Sequence, residues 1–78
     1  MGQHGETVPA YIDYVGGTIV ETIEVGGEGS EVLADVDEDG RIVGIEILDV
    51  NIPENVALAR RFAAERGLAF PPNAYPAA

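Results

Sequence analysis

The stretch Asp35-Val36-Asp37-Glu38-Asp39-Gly40-Arg41-Ile42-Val43-Gly44-Ile45-Glu46 can be read in two ways, and the choice decides the fold. Its letters fit the calcium-loop pattern D-x-D-x-D-G-x5-E, in which alternating carboxylates converge on one ion, glycine permits a sharp bend and a bidentate glutamate closes the cage. They also fit a β-hairpin, with Asp39-Gly40 as the turn and the flanking acids turned to water. The neighbours favour the hairpin. A calcium loop of this type lies between two helices. Here the upstream segment is Gly-rich and alternating, and the downstream one, from Ile42 to Leu48, is rich in β-branched residues and reads as a strand. In an extended strand Glu46 lies about 20 Å beyond Gly40, at ~3.3 Å per residue, and cannot close a cage around the same ion.

Outward from that turn the pattern keeps a period of two. Val32, Ala34 and Val36 alternate with Glu31, Asp35 and Asp37, and Leu33 is the exception on the acidic side. After the turn, Val43, Ile45 and Ile47 define one face, and Ile42, Leu48 and Val50 fall on the other. Gly26-Gly27-Glu28-Gly29 is a loop. Residues 18–25 form an earlier strand in which Ile19, Ile23 and Val25 share one parity, and residues 10–15 form the first strand. Gly16-Gly17 between them has the composition of a two-residue hairpin turn with positive φ.

Past Val50 the period changes to about 3.6. Asn51 is placed as N-cap, with Pro53 in the first turn and Glu54 three residues on in a capping-box arrangement. A helix over 53–66 gathers Val56, Leu58, Ala59, Phe62 and Ala63 on one stripe. Gly67 suits the left-handed position after its end, and Leu68 can fold back on the last turn. Arg61 stands four residues before Glu65, in pairing position.

The fold predicted is α+β: a four-stranded antiparallel sheet, built as a β-meander of two hairpins, followed by one C-terminal helix packed on one face. Residues 1–7 read as a flexible N-terminus, 8–69 as the single domain and 70–78 as a Pro/Ala-rich tail. Ile12, Ile19, Ile23, Val32, Val36, Val43, Ile45 and Ile47 are expected beneath the helix. Tyr11, Val15, Val20, Leu33, Ile42 and Leu48 have the opposite parity and are also apolar. One helix cannot cover both faces, and a contiguous apolar patch calls for a cover. A partner is therefore expected there, most simply a second copy, with Tyr11, Val20, Leu33, Ile42 and Leu48 as interface candidates.

Composition narrows the function. Fourteen acidic residues face four arginines in 78 residues, for a formal net charge of −10. That field repels nucleic-acid phosphates and anionic membranes, and attracts a basic protein or a divalent cation. There is no cysteine, so disulfides and thiolate metal sites are excluded and a reducing cytoplasm is the expected location. Residues 1–8 have neither the basic start nor the apolar stretch of a signal peptide, and no apolar run approaches the ~20 residues of a membrane helix. His4 is the only histidine and Ser30 the only serine, too little for a nucleophile pair or a multi-histidine metal site. Gly26-Gly27-Glu28-Gly29 lacks the lysine of a phosphate loop. No enzyme and no cofactor are expected.

The residues from Asp37 to Asp49, Asp-Glu-Asp-Gly-Arg-Ile-Val-Gly-Ile-Glu-Ile-Leu-Asp, resemble the signature of a family of small bacterial and archaeal proteins known as domain of unknown function 2283. Ala10-Tyr11-Ile12 and Gly17-Thr18-Ile19-Val20-Glu21 match that family's pattern in the same order, so the resemblance spans roughly residues 6–50. The acidic box that usually precedes the first strand is represented only by Glu6-Thr7-Val8-Pro9-Ala10, and the helix from Pro53 lies outside the shared core. The resemblance implies a hairpin at Asp39-Gly40 and no known activity. Members are often encoded beside small toxin-like proteins, which implies a regulatory, antitoxin-like partner.

Two functions follow as expectations. One is a non-catalytic module that self-associates or binds a basic protein. The alternative is a domain that binds divalent cations loosely through Asp35, Asp37 and Asp39.

Overall fold

The computed structural model describes residues 7–14 and 16–71. The expectations for His4, Val15, the first six residues and residues 72–78 fall outside them. Four strands and one helix follow in order: β1 (Ala10–Asp13), β2 (Ile19–Glu24), β3 (Val32–Asp37), β4 (Ile42–Ile47) and α1 (Pro53–Glu65). The strands form one antiparallel sheet, and α1 lies across β3 and β4. The α+β class and the hairpin at Asp39-Gly40 stand as predicted, with Gly40 at φ +81° in the turn. Among the described residues no helix is long and apolar enough to cross a membrane.

The strand order corrects the meander. It is β1-β4-β3-β2, so the first two strands occupy opposite edges instead of forming a hairpin. The link over 14–18 must span three strand spacings, about 14 Å at ~4.8 Å each, which five extended residues can reach. Gly16 and Gly17 are absent from the positive-φ glycines. Their use is close approach. A Cβ built on Gly16 would overlap the Val43 side chain, and the Gly17 N–H donates to Asp37 Oδ2 at 3.4 Å.

Two β-bulges correct the assignment of faces. Ile19 pairs with Asp37 but Glu21 with Val36, leaving Val20 as an extra residue on β2. Asp35 pairs with Gly44 but Val36 with Ile42, leaving Val43 extra on β4. An extra residue reverses the side-chain parity beyond it. Ile42, expected on the far face, therefore packs against the core. Val43, expected under the helix, is buried outside the core cluster, against Gly16. Ile19 shifts to the uncovered face and is 49% exposed. Val50, read from parity as outward, is buried in the core.

The core is Ile12, Val25, Val32, Ala34, Ile45, Ile47 and Val50 from the sheet side, closed by Ala59, Phe62 and Ala63 of α1. Val56 and Leu58 pack at its margin, as the helical stripe implies. The helix begins at Pro53 as expected, but the cap expected at Asn51 falls one residue later. Its N-cap is Ile52, and Asn55 takes over the polar work, its Nδ2 donating to the Asp49 carbonyl at 3.0 Å and to Glu31 Oε1 at 2.8 Å. Asp49 Oδ1 accepts from the Asn51 N–H at 3.0 Å, so this acid shapes the entry to the helix. The C-terminus follows the sequence closely. Gly67 at φ +68° lets the Leu68 N–H reach the Ala63 carbonyl and its own N–H reach Ala64, a Schellman motif that folds Leu68 onto the core. Glu65 pairs with Arg66 at 3.9 Å and not with Arg61, and Arg66 also stacks on Phe62.

Candidate interaction surface

The sheet face away from α1 is built in rows, because each register position sets one side chain beside the next. One row runs Glu24–Leu33–Glu46–Tyr11 across all four strands, and the next runs Thr22–Asp35–Gly44–Asp13. This face differs from the one expected. Tyr11 and Leu33 lie on it, but four carboxylates stand among them, so it is acidic rather than greasy. Of the other interface candidates, Leu48 follows β4 on the parity of Glu46 and is exposed, Val20 projects from the β2 bulge at 60% exposure, and Ile42 lies on the opposite side. None of the four arginines lies on a strand.

A polar stitch crosses the second row. Asp35 accepts from Thr22 Oγ1 on one side and from the Tyr11 hydroxyl on the other, both at 2.7 Å. The Tyr11 ring thus reaches from β1 over β4 to β3, which only a residue without a Cβ allows. A Cβ built on Gly44 would overlap the Tyr11 phenol. Burial, the bond to Asp35 and the charges of Asp35, Asp13 and Glu46 together push the Tyr11 phenol up to about 12. It is a neutral donor at physiological pH.

Beside the stitch lies a shallow cleft of about 460 Å³, lined by Tyr11, Asp13, Tyr14, Gly16, Gly17, Ile19 and Val43. The crossover from β1 to β2 forms its wall. Asp37 secures that crossover to the β3–β4 turn. Only 4% exposed, it accepts from the Asp39 and Arg41 N–H groups, both at 2.9 Å, and from Gly17. The Arg41 N–H does most to hold the Asp37 carboxyl below its usual value; burial opposes this, and the Asp39 and Gly17 N–H groups and the Arg41 charge add to it.

These contacts assign separate tasks to the acids of the calcium-like motif. Asp35 binds two hydroxyls, Asp37 caps the turn, and Asp39 is exposed at its tip. Among the described residues no group of three or more His, Asp or Glu side chains is arranged to hold a metal ion. Ser30 shapes its own loop, its Oγ accepting from the Val32 N–H at 3.0 Å and donating to the Val32 carbonyl at 3.2 Å.

The sequence model of a family described as a protein of unknown function, DUF2283, matches residues 10–51, more than half of the chain. The chain belongs to the DUF2283 family. The matched residues hold the whole sheet, both bulges and the Tyr11–Gly44–Asp35 stitch, and stop short of α1. No curated protein and no solved structure matches the chain.

Sequence reasoning picked out Tyr11 and Leu33 but missed Asp13, Ile19, Gly16, Gly17 and Gly44 as parts of this surface. A signal was present. Each bulge lies at an Ile-Val pair, Ile19-Val20 and Ile42-Val43, where two adjacent apolar residues interrupt the alternation.

Proposed function

We propose that the protein is a non-catalytic interaction module that binds a basic protein through the open face of its sheet. The observation that carries this reading is the two rows of that face, with Asp13, Glu24, Asp35 and Glu46 around Tyr11 and Leu33 and no basic side chain among them. Charged rims steer partners and fix register, and an aromatic set among them supplies an anchor. A second copy presenting the same face would bring like charges together, which favours a partner of opposite sign. A regulatory role of the kind the family resemblance implies would follow from covering that partner's basic surface. The cysteine-free sequence suits a cytoplasmic setting.

Calorimetric titration with an arginine-rich nonapeptide at physiological salt tests the reading. The triple variant Asp13→Lys, Glu24→Lys, Glu46→Lys is compared with Glu28→Lys, Glu54→Lys, Glu65→Lys, which makes the same charge change elsewhere. The open-face triple is expected to weaken binding about tenfold more than the control. Equal losses would reduce the attraction to net charge and sink the reading. So would a wild-type dimer in sedimentation at micromolar concentration that only the open-face triple dissociates, since that face would then be filled by a second copy.

A further inference from the structure

We propose that the cleft between Tyr11, Asp13 and the Gly16-Gly17 crossover receives an arginine or lysine side chain of the partner. The inference rests on the reading of the open face as the docking surface and assigns that surface its anchor pocket.

The lining supplies what a cation on an aliphatic stem requires. Ile19 and Val43 form an apolar flank against which methylenes can lie. Asp13 brings a carboxylate to the lining, and no arginine of this chain does. Tyr11 offers an aromatic ring held in place by its bond to Asp35, so little side-chain freedom is lost when a guanidinium or ammonium settles against it. Gly16 and Gly17 leave the wall without side chains that would fill the space. The fold also provides a contrast. A second cleft of about 460 Å³, on the helix side, is lined by Tyr14, Gly40, Arg41, Ile42, Arg66 and Leu68. Its size is the same, but its two arginines repel the ligand that the first cleft attracts.

The test uses the full chain labelled with ¹⁵N and three blocked pentapeptides, Gly-Ser-Xaa-Ser-Gly, in which Xaa is arginine, lysine or norleucine. Norleucine keeps an unbranched stem without the charge. The arginine and lysine peptides are expected to shift the amides of Tyr11, Asp13, Gly16, Gly17 and Val43 at millimolar concentration, and the norleucine peptide to leave them unmoved. Asp13→Asn is expected to weaken the response about fivefold and Glu24→Gln, the same charge change on the same face outside the cleft, less than about twofold. The spectrum of each variant reports whether it is folded. Shifts centred on Leu33 and Glu46 with silent cleft amides would remove the cleft and leave the open-face reading intact. Equal shifts with norleucine would make the occupant apolar and overturn the cation. No response to any of the three peptides would overturn the pocket, while the nonapeptide titration separately judges the face.

Discussion

The two faces of this sheet are made by the same four strands, yet they follow different rules. The covered face carries Ile12, Val32, Ala34, Ile45 and Ile47, all buried against Ala59, Phe62 and Ala63 of α1. The open face carries Glu24, Leu33, Glu46 and Tyr11 in one row and Thr22, Asp35, Gly44 and Asp13 in the next. On the first, free energy comes from area removed from water. On the second it comes from directed bonds between groups that stay wet, and each such bond contributes little net stability. The difference teaches that one face is fixed by burial, whereas the other is ordered by polar contacts that leave it in water.

Truncation should separate the faces most strongly at their centres. Ile45→Ala empties a fully buried site and is expected to cost about 2–5 kcal/mol, and Ile45→Val about 0.5–1.5 kcal/mol if the larger cut unfolds so small a domain. Leu33→Ala, half-buried one strand away on the other face, is expected to cost about 1 kcal/mol. Urea titration with an unchanged slope measures both. Similar losses would break the comparison, because Leu33 would then be as buried in solution as Ile45.

Gly44→Ala probes a place where the open face is packed tightly, under the Tyr11 ring. The new methyl must displace the Tyr11 phenol or strain the strand, at an expected cost of about 1–3 kcal/mol. In a double-mutant cycle with Tyr11→Ala that cost should largely vanish, since the colliding group is gone. A cost that persists without Tyr11 would place the strain in the backbone of β4 instead.

What the sequence made legible follows the same division. The Asp39-Gly40 turn, the stripe of α1 and the Gly67 cap are local, each set by residues within a turn or two of one another, and all were read correctly. The placement of β1 beside β4 is not local. Gly16-Gly17 has the letters of a hairpin turn, and only the contacts with Val43 and Asp37 reveal that it serves as a crossover. The open face was misread because parity was carried straight through Ile19-Val20 and Ile42-Val43. One bulge in each strand moved Ile42 inward and Ile19 outward. The Tyr11–Asp35 bond, 24 residues apart in the chain, had no signal in the neighbourhood of either residue.

The smallest expected effect concerns Asp37, which belongs to the open side by parity but is covered like a core residue. Its carboxyl is held below 3.8 by the Arg41 N–H first, against the opposing effect of burial, and then by the Asp39 and Gly17 N–H groups and the Arg41 charge. A carboxylate whose folded pKa is depressed adds stability that is complete above its unfolded value and is lost as pH falls through its folded value. Asp37→Asn keeps the shape but replaces one acceptor oxygen with a donor, facing either Gly17 or the turn. The melting-temperature gap between wild type and this variant should be flat above about pH 5 and narrow as the pH drops below 3.8. The other acids titrate in both proteins, so taking the gap removes their common contribution. A gap that stays constant down to the acid limit would mean that the crossover is held by the glycine packing on Val43 alone, and that Asp37 contributes to the turn without its charge.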